Sequence, residues 1–245
     1  ESSTLPAKSL SIQSSVKDAE IWTLSVGAAG AKKTAIAGSV SINVISNTID
    51  AHISGGADID TAGDVLVIAS DESMIKSLAG QAAISLGGNS IGAAVGVNII
   101  TNTVKAYIDN SNVDTTASGN IIVQADENAT IHSISAGIEG SKGWSLGGSI
   151  SVNILTNTVK AYLTGSKSIN ADGSMLVSAC NDADTWTLAG NVSISINSTA
   201  FGVSNVTLVT NNTVDANIDE NMVINASGNG SGVNAYTGLK SGGTK

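Results

Sequence analysis

One block of sequence, Asn-Thr-(Val/Ile)-x-Ala-x-(Ile/Leu), recurs four times in this chain. Its four asparagines follow one another at intervals of 55 residues: Asn47, Asn102, Asn157 and Asn212. A strict long period indicates that each repeat is one structural unit stacked on the next, with a core that runs along the stack. The chain is therefore predicted to form an elongated solenoid.

A second marker supports the same period, and the intervals between its copies are within one residue of 55. Its copies are Leu10-Ser-Ile-Gln-Ser, Val65-Leu-Val-Ile-Ala, Ile121-Ile-Val-Gln-Ala and Met175-Leu-Val-Ser-Ala. We expect one continuous domain over residues 1–245, with repeat units at about 9–63, 64–119, 120–173 and 174–228 and a tail at 229–245. A degraded fifth copy begins at Gly232. The sequence is thus interpreted as an excerpt of a longer solenoid.

Composition suits tightly stacked strands. Apolar residues make up 42% of the chain and are mainly Ala, Val, Ile and Leu, with only three Trp, three Tyr and one Phe. There are 27 Gly and one Pro. A disordered linker would be rich in proline and poor in β-branched residues, so disorder is not expected.

The charge excludes two classes of partner. The net charge is −9, and all eleven basic residues are lysine. Arginine is the usual residue for bidentate contacts to phosphates and base edges. An acidic chain without arginine is not expected to bind nucleic acid or an anionic membrane.

Two uncharged stretches, 77–104 and 185–214, are long enough to be tested as membrane spans. A spanning helix needs about 20 apolar residues. Here apolar residues alternate with Ser, Asn and Gly, which is the period of a strand. Membrane insertion is therefore not expected.

Turn residues divide each unit into about six short strands. In the second unit these are predicted at 91–100, 103–108, 112–115, 120–125, 130–136 and near Ile138. The fixed period favours coils that keep one direction, and parallel stacking of equivalent strands gives a β-helix. The unit could hold three coils of about 18 residues or two of about 27, and three coils are favoured here.

Stacked coils place equivalent residues in columns about 4.8 Å apart. Two apolar columns are predicted to face inward: Ala51, Ala106, Ala161 and Ala216; and Ile53, Ile108, Leu163 and Ile218. The column that directly precedes the alanines is predicted to face outward, where acid and base interchange: Asp50, Lys105, Lys160 and Asp215. The four repeat asparagines should cap turns or bond to the next coil, because Asn tolerates left-handed backbone angles.

Three longer segments carry a family resemblance: Ser39-Val-Ser-Ile-Asn-Val-Ile, Val95-Gly-Val-Asn-Ile-Ile and Ser149-Ile-Ser-Val-Asn-Ile-Leu, each followed by the Asn-Thr block. With the later Ala117-Ser-Gly-Asn-Ile-Ile-Val-Gln-Ala, they resemble repeats of filamentous-haemagglutinin-type and leukotoxin-like secreted Gram-negative adhesins. The resemblance implies a right-handed parallel β-helix, export across the outer membrane and an extracellular location on the bacterial surface. It brings no catalytic residues with it.

Acidic pairs recur at one corner of the repeat, as Asp71-Glu72 and Asp126-Glu127. Adjacent residues on a strand point to opposite faces, so neither pair forms a site by itself. We interpret them as a solvated turn, with a weak Ca²⁺ corner as the alternative.

The other reactive side chains are isolated in the sequence. His52 and His132 lie too far apart in the repeat to share a zinc ion, which needs clustered ligands. Cys180 aligns with Ala69 and Ala125 and is predicted to be a small buried hydrophobe. No catalytic, cofactor-binding or metal-binding residues are therefore assigned, and no cofactor is expected.

The function expected from these features is a structural or adhesive shaft segment of a large bacterial surface or secreted fibre, without catalysis. The alternatives are a fragment of a carbohydrate-active β-helix enzyme and a cytotoxin passenger that binds host cells. Expected partners are the neighbouring repeats, other copies associating end to end through open strand edges, and a ligand on a host surface.

Overall fold

The computed structural model describes residues 8–165, 167–220, 222–230 and 232–233, and over these residues it contains strands and no helix. The strands lie in four parallel sheets of four strands each. Sheet A contains β1 (Leu10–Ala31), β5 (Val65–Ser85), β9 (Ile121–Ser141) and β13 (Met175–Ser195). Sheet B contains β2 (Thr34–Ile45), β6 (Asn89–Ile100), β10 (Ser145–Leu155) and β14 (Ala200–Thr210). Sheet C contains β3 (Thr48–Ile53), β7 (Thr103–Asp109), β11 (Thr158–Thr164) and β15 (Thr213–Ile218). Sheet D contains β4 (Asp58–Thr61), β8 (Asn112–Thr115), β12 (Ser168–Ala171) and β16 (Val223–Ala226).

The chain passes through sheets A, B, C and D in turn and then returns to sheet A one level further along the stack. Each strand therefore pairs with the strand four positions later, as β3 pairs with β7 and β7 with β11. This arrangement confirms an all-β parallel β-helix built from 55-residue repeats. No helix in the described part of the chain is long and apolar enough to cross a membrane.

The expectation of three coils per repeat, or two, is wrong: each 55-residue repeat forms a single coil. Ala51 is the register partner of Ala106, and Ala106 of Ala161. The period of a repeat gives only the number of residues between equivalent positions. Because the strands were predicted to be short, the coil was predicted to be smaller than it is. The coil is large because sheet A strands run unbroken for 21 or 22 residues.

In the second unit, β6, β7 and β8 lie where strands were expected, within two residues at each end. The three later pieces are instead one strand, β9. The polar residues Asp126 and Asn128 do not make a turn, because β9 continues through them in register with β5 and β13.

Each coil has two parts. In the body, sheets C and D and the first residues of the sheet A strands enclose an aliphatic core that includes Val67, Ile108 and Val123. In the arm, the remainder of the sheet A strands packs against sheet B, and the two sheets form a flat two-layer structure. Small alanine and isoleucine clusters mark the tip and the base of the arm. The expected tail and the degraded fifth copy fall largely outside the described residues.

Candidate functional site

The predicted inward columns of the body lie against its aliphatic core. Ala106 and Ile108 are fully buried, while Lys105, which precedes them, is half-buried and faces outward. Ala51, Ile53, Ala161 and Leu163 are buried in the same two columns. In the fourth coil Ala216 and Ile218 are exposed, because no described coil covers them.

The repeat asparagines form a hydrogen-bonded ladder along the stack. The side-chain carbonyl of Asn102 accepts the backbone N–H of Asn47 at 3.0 Å, and Asn157 and Asn212 repeat this contact at 3.3 and 3.1 Å. Asn102 and Asn157 are 1% exposed. Each amide thus satisfies a backbone donor where the chain turns from sheet B into sheet C, which a buried turn requires.

Asp71 and Glu127 extend this ladder into the interior, so the interpretation of both acidic pairs as a solvated turn is wrong. The two residues are register partners in β5 and β9, and they are 0% and 2% exposed. Asn102 Nδ2 donates to both carboxyl groups, at 2.7 Å to Asp71 and 3.0 Å to Glu127. Adjacent strand residues do point to opposite faces, but one acid from each pair turns inward and the stack brings those two together.

Burial governs the protonation of this acid pair. Loss of solvation raises the pKa of Asp71, and it raises the pKa of Glu127 to about 8, with the charge of Asp71 adding to the effect. The hydrogen bond from Asn102 acts against this rise. At neutral pH the pair therefore shares one proton, because two adjacent buried carboxylates repel each other.

The enclosure of the acid pair limits its chemistry. Asn47 Nδ2 donates to Asp71 at 2.8 Å, and Ser73 Oγ donates to the same carboxylate at 2.5 Å. A polysaccharide cannot reach carboxyl groups that are surrounded in this way. The arrangement can store a proton and fix the corner of the coil, and it gives these two acids no access to a bound substrate.

A second asparagine ladder runs inside the arm, and the sequence analysis did not identify it. Asn43 Nδ2 donates to Asn98 Oδ1, and Asn98 Nδ2 donates to Asn153 Oδ1, both at 2.8 Å. Asn153 Nδ2 in turn donates to Thr187 Oγ1 at 2.6 Å. The signal was present, because the three asparagines are spaced by 55 residues inside the segments that carry the resemblance.

A third polar cluster centres on Glu139, which is fully buried in the arm. Gln81 Nε2 donates to its carboxylate, as do Asn191 Nδ2 at 3.1 Å and Ser193 Oγ at 2.7 Å. Gly147 leaves room for this carboxylate, because a Cβ at that position would lie 1.9 Å from Glu139 Oε2. Gln81 and Asn191 share one column with Gly137, and Glu139 and Ser193 share another with Ala83. Neither column repeats a polar residue type, so the sequence carried no signal for the cluster.

The arm reverses the usual distribution of polarity. Its interior holds Ser, Asn, Gly and Ala, and serine pairs such as Ser133 and Ser151 bridge the two sheets at 2.8 Å. Its outer faces carry large apolar side chains, among them Leu24 at 72% and Ile42 at 66% exposure. Alternation alone could not show which face is inside, because small polar side chains fill a thin interior.

Aromatic side chains contact one another along columns on the outer surface. On sheet C, His52 stacks on Tyr107 and Tyr107 on Tyr162, each with ring centres 4.8 Å apart. On sheet A, Lys76 Nζ lies 4.2 Å from the centre of the Trp22 ring. The same column continues with His132 and then Trp186, whose rings meet edge to face at 6.4 Å.

The prediction of a buried Cys180 is wrong. Cys180 is exposed, and its register partner is Asp126, while Ala179 aligns with Ala125. The alignment was one residue off, and a shift of one residue moves a side chain to the opposite face of a strand.

Metal ligands were not expected, and His52 and His132 lie on different sheets. In the part of the chain that the structure describes, no group of three or more His, Cys, Asp or Glu side chains could hold a metal ion. Comparison of the chain with family models, with curated proteins and with solved structures finds no match.

Proposed function

We propose that this chain is a structural and adhesive segment of a large bacterial cell-surface or secreted fibre. The observation that supports the proposal most is the continuous parallel stacking of four coils, in which the β1–β5 register shifts once, between Val16 and Ala19. In each described strand pair, partners lie 54 to 56 residues apart, as in Val65 with Ile121 and Thr103 with Thr158. The resemblance of the repeats to those of secreted adhesins supports the bacterial surface as the location.

The size of the coil changes what such a segment contributes. A coil of 55 residues advances the stack by only about 4.8 Å, whereas coils of about 18 residues would advance it three times as far per repeat. A sheet A strand of 22 residues is about 70 Å long. The segment therefore adds broad lateral surface rather than reach, which favours adhesion along its walls over simple spacing of a distant tip.

The partners in this proposal are the neighbouring coils of the same chain and a ligand on a host surface. The walls offer chemically distinct contacts: charged and aromatic side chains such as Lys105 and Tyr107 on sheet C, and aliphatic side chains such as Ile42 on sheet B. The ordered interior ladders hold these walls in a fixed shape. Such preorganised surfaces lose little conformational entropy on binding.

Deletion of one coil, residues 102–156, tests the proposal. The deletion joins Thr101 to Asn157, so Asn157 takes the ladder position of Asn102 beside Asn47. The variant should therefore fold with three coils and the same circular dichroism per residue. Binding to host cells should fall in proportion to the wall removed. Cleavage of any member of a polysaccharide panel by the parent protein would contradict the proposal, as would complete loss of cell binding in a folded variant.

A further inference from the structure

The arm carries an apolar outer face on sheet A, between charged residues at the base and at the tip of the arm. Its main side chains are more than half exposed: Leu24, Val26, Ile84, Ile138, Leu188 and Val192. We call this surface the arm face. On this side of the arm, charged residues lie at the two ends. Glu20, Lys76 and Asp184 lie near the base, and Lys32 and Lys142 lie at the tip.

The arm face has the size of a protein interface. Four strands about 4.8 Å apart, each contributing about eleven residues at about 3.3 Å, cover about 700 Å². Soluble monomers rarely expose apolar patches of more than about 300–600 Å², and a standard interface buries about 800 Å² on each partner. Two such faces in contact would reach the range of stable dimers.

Charge selects the orientation of the second copy. Glu20 lies six residues before Val26, and Lys32 lies six residues after it. We consider a two-fold axis that runs parallel to the stack and passes in front of one register column: Val26, Gly80, Ala136 and Gly190. This axis would place the tip of each arm over the base of the other. Glu20 of each copy would then face Lys32 of the other.

In the first and third coils, shape agrees with the same axis. Trp22 lies four residues before Val26, and Gly30 lies four residues after it, so the axis sets an exposed indole opposite a glycine. In the third coil the same operation sets His132 opposite Gly140. Added Cβ atoms on Gly30 and Gly140 would meet no heavy atom within 4 Å, so both positions are open to a partner.

We propose that the arm face binds a second copy of this chain, with the two solenoids side by side, their axes parallel and the arms overlapping tip to base. A closed two-fold contact of this kind buries the same patch on both copies, as in most homodimers. It differs from end-to-end association, which uses open strand edges. The inference does not depend on the proposed function.

A lipid surface is the other occupant that an apolar face could have. The net charge of −9 opposes an anionic membrane, and lipid would leave the pairing of Glu20 with Lys32 without a role. Binding of the protein to lipid vesicles is therefore the competing outcome of the test.

The first test compares two lysine substitutions on the third coil by sedimentation equilibrium of the full chain. Ile138→Lys lies on the arm face, and the control Ile150→Lys lies on the opposite face in sheet B. We expect the parent and Ile150→Lys to dimerise with equal affinity, and Ile138→Lys to weaken the dimer at least thirtyfold, because a lysine would be buried without a partner. A monomeric parent, or equal dimerisation of both variants, would overturn the proposal.

The second test reverses charges. Glu20→Lys and Lys32→Glu should each weaken the dimer by roughly tenfold, and the double variant should regain the parent affinity. A double variant as weak as either single variant would contradict the tip-to-base arrangement. Flotation of the parent with neutral phosphatidylcholine vesicles, lost in Ile138→Lys while the parent stays monomeric in solution, would assign the face to lipid instead.

Discussion

The carboxyl groups of Asp71 and Glu127 lie one above the other inside the coil, because the two residues are register partners in β5 and β9. Both face the Asn102 amide, which donates to each of them. Stacking of the coils thus buries two acidic residues as one titrating pair. The free energy of unfolding should therefore depend on the protonation of this pair.

Stability is expected to fall as the pH rises through the neutral range. The folded-state pKa of Glu127 is raised to about 8 from about 4.5, so the folded protein binds more protons than the unfolded chain between these values. The stabilising effect is complete below about pH 4.5 and is lost as the pH rises to about 8, at a slope on the order of 1 kcal/mol per pH unit. Glu127→Gln should flatten this slope in urea unfolding measured from pH 5 to 9.

The matched control for this prediction is Glu72→Gln. Glu72 is adjacent to Asp71 in the sequence but is half-buried and faces outward. Its substitution should leave the slope as in the parent. A parent protein whose unfolding free energy rises from pH 5 to 8 would contradict the assignment of the shared proton.

The Asn102 ladder position should be among the most sensitive polar sites. Asn102→Ala would remove the acceptor of the Asn47 N–H and one donor from each of two buried carboxyl groups, at a cost of about 2–5 kcal/mol. Asn211→Ala is the control, because Asn211 is exposed and precedes the ladder asparagine of the fourth coil. Chemical denaturation should show a large loss only for Asn102→Ala; equal midpoints for the two variants would show that the ladder contributes little.

Replacement of a core residue in the body tests which side of the strand faces inward. Ile108→Asp places a charge in the aliphatic core and should leave at least one coil unfolded. Lys105→Glu should change the unfolding free energy by less than about 0.5 kcal/mol, since acid already occupies this outward column at Asp50. Thermal melts followed by circular dichroism would separate the two, and an unchanged melt of Ile108→Asp would reverse the assignment of faces.

Two glycines distinguish the crowded interior of the arm from its open outer surface. Gly147→Ala would place a Cβ 1.9 Å from Glu139 Oε2 and should cost at least about 1–3 kcal/mol. Gly140→Ala meets no atom within 4 Å and should be neutral or slightly stabilising, because alanine reduces the entropy of the unfolded chain. If both variants unfold at the same denaturant concentration, the two sheets of the arm lie further apart than described.

The sequence was sufficient to predict the β-helix, because the recurrence of Ala51, Ala106 and Ala161 at one spacing indicates stacked units. It was not sufficient for the size of the coil. Turn-forming residues such as Asn128 also occur inside long strands when tertiary pairing overrides local preference. The burial of Glu127 was missed for a related reason: a carboxyl group is expected in solvent unless the structure supplies a partner, and the partners came from two other strands.

A disulfide between successive repeats would show directly that one 55-residue repeat makes one coil. In the Cys180→Ser background, Lys105→Cys and Lys160→Cys place two thiols at register partners on the outer face of sheet C. One coil per repeat sets their Cα atoms about 4.8 Å apart, within the range that a disulfide spans, whereas two or three coils would separate them by about 10 or 14 Å. We expect rapid intramolecular disulfide formation in the folded, monomeric protein under mild oxidation. Two thiols that remain free in the folded protein would contradict it.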